Sequence, residues 1–153
     1  MKISSKKNID IIKTELLKFP FFLKHGFSFL EGNYTDLQTT GTFDKYAYIF
    51  INLKAKIKIK IIYKNNLQFK RDCFSVIIEN DNGNYFFLSH YITYKQMHFN
   101  KDFFNLENYS GNFQQQFLSF LNFLDSIFQT KDLYEILIGK KWEAIPIDWH
   151  GYK

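Results

Sequence analysis

From residue 54 to residue 64 the chain reads KAKIKIKIIYK, with lysine and apolar residues alternating. Ala55, Ile57, Ile59, Ile61 and Tyr63 fall on one side, and Lys54, Lys56, Lys58 and Lys60 on the other. A period of two belongs to a strand, whose successive side chains point to opposite faces. The segment predicts a strand over 54–64 with one dry and one wet face, and hence an antiparallel sheet packed on one side only.

The patterns on either side supply the other elements. Ile9, Ile12, Leu16 and Phe19 recur at helical spacing behind Ser4 or Ser5, either of which suits a helix N-cap. Pro20 suits the first turn of a short second helix reaching His25, and Gly26 suits its left-handed stop. A first strand is expected over 27–35, with Phe27, Phe29 and Glu31 along one side, followed by a polar loop over 36–42. The second strand, 45–52, is apolar on both faces and so belongs inside the sheet or under cover on both sides. Asn52-Leu53 is expected to turn into the lysine strand. FSVIIE (74–79) and YFFL (85–88) flank Asn80-Asp81-Asn82-Gly83-Asn84, whose residues tolerate positive φ, and together they predict a hairpin.

Ser89 is a candidate cap for one helical turn. Residues 98–111 have no period and predict a loop that lays its aromatics over the sheet edge. Behind Asn112, Phe113, Phe117, Phe120, Leu121, Leu124, Ile127 and Phe128 form a wide helical stripe, with Leu118 and Phe123 off it and directed at a neighbouring helix. Thr130 suits the cap of a last helix over 131–138, which Gly139 ends. The expectation is an α+β fold in a single domain, residues 1–153. One antiparallel sheet of about five strands carries the N- and C-terminal helices on one face.

Composition changes this picture in two ways. Alanine occurs only at Ala47, Ala55 and Ala144, while there are 19 phenylalanines, so the core is expected to be built of bulky rings. The net charge of +5 points towards an anionic partner, yet Arg71 is the only arginine. Sequence-specific nucleic-acid readers lean on arginine's planar fork, so the lysine, asparagine, isoleucine and phenylalanine bias is read first as the usage of an AT-rich bacterial genome.

Candidate chemistry is sparse. Cys73 is the single cysteine, which excludes an intrachain disulfide and fits a reducing cytoplasm. It follows Asp72, whose charge would raise a thiol pKa, a poor setting for a nucleophile. His25, His90, His98 and His150 show no ligand spacing, so no metal or other cofactor is expected. No nucleophile elbow or phosphate-binding glycine loop occurs, and no catalytic residue is assigned. The N-terminus reads as an amphipathic helix rather than a signal peptide, and no apolar run approaches the ~18 residues of a membrane span. A cytoplasmic, soluble protein is expected.

Two groups remain as partner-binding candidates. Lys54, Lys56, Lys58 and Lys60 would stand about 7 Å apart along one strand face, as a docking row or simply as a solvated face that discourages edge pairing. Trp142, Trp149 and Tyr152 are hot-spot residue types, or else anchors that pin the tail to the core. Edge strands and the aromatic tail both offer routes to an oligomer.

The phrases FPFFLKHGF, YIFINLKAKIKIKIIYK, FSVIIENDNGNYFFL and LYEILIGKKW follow an opening amphipathic helix in that order. In this pattern, which covers most of the chain, the sequence resembles small bacterial α+β proteins of the kind that serve as immunity proteins in polymorphic-toxin systems. The resemblance implies a non-catalytic module that binds and blocks a cognate toxin, and it carries no motif onto individual residues. A basic chain suits a toxin with an acidic surface. The alternative is a nucleic-acid-binding accessory protein that uses its lysine-rich sheet face.

Overall fold

Five strands lie side by side in the order in which the chain makes them, each antiparallel to the last. They are β1 (Ser28–Asp36), β2 (Phe43–Asn52), β3 (Ile57–Asn66), β4 (Arg71–Asn80) and β5 (Tyr85–Phe87). Before them come helices α1 (Ile3–Leu17) and α2 (Pro20–Lys24). After them come α3 (Leu88–Tyr94), α4 (Phe113–Phe128) and α5 (Lys131–Leu137). The structure, a computed structural model, describes residues 3–36, 43–66 and 71–146. The expected α+β architecture, one antiparallel sheet with helices, is the one observed. The loop expected over 36–42 lies outside the described residues apart from Asp36, which ends β1.

The inner face of the sheet is apolar row by row. Register aligns Phe50, Ile59, Ile78 and Phe86, then Tyr48, Ile61 and Val76, then Tyr46, Tyr63 and Phe74. The buried stripes of helices α1 to α5 join these residues in one hydrophobic cluster. Rings do much of the filling: Phe74 stacks on Phe120 at 4.7 Å, and Phe22 meets Phe50 at 4.4 Å. Each fully buried phenylalanine contributes roughly 1.5–3 kcal/mol relative to exposure.

Two of the rings carry hydroxyls that need partners. Tyr48 donates to the Ile9 carbonyl at 2.7 Å. Tyr63 donates to Asp72 at 2.5 Å and accepts from Asn8 at 3.1 Å. Both tyrosines therefore latch α1 to the sheet. Burial, the first cause for each, pushes their pKa values far up, so both stay protonated donors.

The structure corrects the sequence reading at several joints. β3 begins at Ile57, and residues 53–56 form the turn from β2. Asn52 builds that turn: its side chain accepts from the Ala55 amide at 2.9 Å and donates to the His25 carbonyl at 2.7 Å. Lys56 adopts a left-handed φ of 60°, which ends the alternation there. In β1 a bulge between Phe29 and Glu31 places Glu31 opposite Ile49 rather than in line with Phe29. Leu88 opens α3 rather than closing β5, and Phe87, not Ser89, is the N-cap. The helix expected behind Asn112 is α4, and Asn112 caps it in a reciprocal capping box with Gln115.

The aperiodic stretch after α3 forms two single helical turns, Lys101–Phe104 and Leu106–Asn108, and Asn105 bridges to Cys73 along the β4 edge that β5 leaves free. Phe123 faces this stretch, with Phe104 at 5.4 Å and Phe103 at 5.6 Å, instead of a neighbouring helix. Gly139 ends α5 at φ +81°. A Cβ there would stand 2.8 Å from the Ala55 Cα, so only glycine lets α5 meet the β2–β3 turn this closely.

Candidate functional site

The opposite face of the same sheet has a different make-up. Strand alternation turns Lys58, Lys60, Ile62 and Lys64 of β3 outward. Register sets Ile51, Ile49, Ala47 and Lys45 of β2 beside them, and Glu79, Ile77, Ser75 and Cys73 of β4 on the other side. None of the apolar members of this face belongs to the hydrophobic cluster that the helices cover. Ile51, Ile62, Ile77 and Phe87 are half-buried, and Ile49 is 8% exposed even though it lies outside that cluster. Lysines stand beside these aliphatics in the register, and long lysine stems can cover apolar surface while the ammonium stays in water.

Charge on this face is uneven. Lys60 reaches diagonally to Glu79 at 3.6 Å, an ordinary cross-strand pair. Lys45 and Lys64 stand directly opposite one another. The pKa of Lys64 is lowered, first by burial and then by Lys45. Burial pushes the Cys73 thiol up, and Asp72 and Glu107 add to this while Lys64 opposes it. The thiol is therefore neutral near pH 7 and poorly suited to attack.

The candidates from the sequence are not brought together. Lys58 and Lys60 lie on the outer face, half-buried rather than fully wet. Lys54 and Lys56 lie in the β2–β3 turn and leave the row. Trp142 packs its ring 5.4 Å from Phe86, an inner-face residue, and acts as an anchor for the tail. Trp149 and Tyr152 lie outside the described residues. Lys45 and Lys64 were not singled out by sequence. Lys64 shares the parity of Lys58 and Lys60, a signal present in KAKIKIKIIYK but interrupted by Ile62. The place of Lys45 depends on strand register, which the sequence leaves open.

The ion pairs of the tail explain its course. Lys95 meets Glu143 at 2.5 Å, and Lys141 meets Asp132 at 2.9 Å and Glu143 at 3.2 Å. These bonds tie residues 141–143 to α3 and α5.

Two histidines, His25 and His90, pack against rings. His25 lies 4.6 Å from the Phe21 ring and 5.1 Å from Tyr134, and burial, followed by Lys24, lowers its pKa. His90 lies 5.0 Å from Phe87, and burial followed by Lys101 lowers its pKa. Among the described residues no three histidine, cysteine or carboxylate groups gather as metal ligands, and no helix is long and apolar enough to cross a membrane. No protein-family model, curated protein or solved structure matches the chain.

Proposed function

We propose that this chain is a non-catalytic protein-binding module that docks a partner on the outer face of its sheet. In its most concrete form it is an immunity protein that neutralises a cognate bacterial toxin by covering it. The supporting observation is the asymmetry of the sheet. Helices bury one face, while the other presents half-buried isoleucines framed by lysines on a stiff five-stranded frame. An apolar centre with a charged rim is the usual make-up of a protein interface.

In this reading the lysines steer an acidic toxin surface into register and the aliphatics hold it, while the sheet itself stays still. The reading places the protein in the cytoplasm, where a toxin must be stopped before it harms its producer. The test is co-expression with the product of an adjoining toxin gene. Growth rescue and co-purification of a stable complex are expected, and both should be lost when Ile51 and Ile62 are changed to aspartate. A toxin that kills equally well in the presence of the native chain would overturn the reading. The nucleic-acid alternative predicts retardation of RNA or DNA in a gel at low salt, falling steeply as salt is added.

A further inference from the structure

At one end of the outer face two lysines face each other with no ion-pair partner among the described residues. Lys45 on β2 and Lys64 on β3 are direct cross-strand partners, and both are half-buried. Like charges placed directly opposite destabilise a sheet. The next residue across the sheet from Lys64 is Cys73, a neutral thiol, and the one across from Lys45 is Thr35. One row inward stand Ala47, Ile62 and Ser75, which carry no charge. Two carboxylates near this end have partners of their own. Asp72 accepts from Tyr63 and Asn65, and Glu107 holds Arg71 at 3.4 Å. Among the described residues neither Lys45 nor Lys64 has an ion-pair partner, whereas Lys60, two rows away, has Glu79.

We infer that Lys45 and Lys64 form a receptor for a carboxylate of the protein partner, whose apolar side chains rest beside it on Ala47 and Ile62. The inference rests on the reading of the outer face as a docking surface. A carboxylate seated between two ammonium groups accepts charge-assisted hydrogen bonds from both and removes their mutual repulsion. A nucleic-acid phosphate carries the same sign. The adjoining surface is aliphatic, however, and offers bases no aromatic platform on which to stack. The observations therefore favour an acidic protein surface.

The experiment titrates the full chain with a synthetic peptide that has a leucine pair flanked by glutamates. The same peptide with glutamines and a single-stranded RNA of equal charge serve as comparisons, and NMR shifts are read. The glutamate peptide is expected to move the resonances of Lys45, Lys64 and Ile62, and the glutamine peptide to leave them in place. K64E is expected to weaken binding at least about tenfold while raising Tm by about 1–3 °C, because the introduced carboxylate would pair with Lys45. K64Q keeps the test sound should the charge reversal disturb the fold: it too should weaken binding.

Shifts that map elsewhere, an absence of shifts, or undiminished binding by both variants would overturn the inference. Equal binding of the RNA would assign the lysine pair to nucleic acid instead. Toxin neutralisation that survives K64E and K64Q would remove the carboxylate receptor and leave the docking face standing. Failure of the native chain to neutralise would remove the docking reading itself.

Discussion

Strand β3 shows two chemistries on one backbone. Its inward residues Ile57, Ile59, Ile61 and Tyr63 are at most 3% exposed and lie under helices. Its outward residues Lys58, Lys60, Ile62 and Lys64 are all half-buried, without joining the cluster that the helices close over. The inner face gains stability from ring packing, and the tyrosine hydroxyls within it find partners in the fold. The outer face keeps aliphatic surface half in water and sets two lysines against each other. A sheet built for stability alone would place a carboxylate at residue 45 or 64. The comparison teaches that stability is concentrated on one face, which leaves the other free to be shaped for contact.

The strongest break of that contrast is Phe120→Ala. Phe120 is fully buried and stacks on Phe74, so its loss is expected to cost about 3–5 kcal/mol, read as a shift in the denaturant midpoint at unchanged slope. Tyr63→Phe is a milder probe of the same face. It removes the donor to Asp72 and leaves Asn8 without its acceptor, so roughly 1–2 kcal/mol should be lost in the same measurement. On the outer face Lys60→Ala should change stability by less than about 1 kcal/mol, because the pair with Glu79 is partly exposed and screened. A large loss there would show that the outer face is part of what holds the fold together.

Low pH should act on the tail through Glu143. The hydrogen bond from Lys95, and after it that from Lys141, hold the Glu143 carboxyl below its ordinary value of 4.5, against the opposing effect of burial. A depressed carboxylate pKa stabilises the folded form at any pH above the unfolded value, and that contribution is lost as pH falls through the folded value. Trp142 fluorescence in a Trp149→Phe background should therefore stay constant from neutral pH down to the ordinary carboxylate range and change only below it. Glu143→Gln should flatten that change. A transition near pH 6 would point to a histidine instead.

The sequence carried most of the sheet because alternation is a strong local signal. Ile57 to Tyr63, the Asn80–Asn84 hairpin and the α4 stripe are all visible as periods or as turn chemistry. It failed where a single side chain redirects the backbone. Asn52 folds residues 53–56 into a turn although Lys54, Ala55 and Lys56 continue the strand pattern perfectly. The β1 bulge reverses the side of Glu31, and no proline at the spot announces it. The candidate site was half legible. Lys58 and Lys60 could be placed by parity, whereas the Lys45–Lys64 pairing is a fact of register between strands, and no single-strand period contains it.

The order of the strands has a consequence for how the protein is made. Every strand pairs with its neighbour in the chain, so the sheet can zip up as it leaves the ribosome. The helix that shields Phe74 arrives much later, and the hydrogen bond from Gln114 to Glu15 at 3.2 Å closes a span of 99 residues. During that interval a nascent chain leaves uncovered the aromatic surface around Phe74 that α4 later shields, which makes it prone to aggregation wherever translation stalls before Asn112.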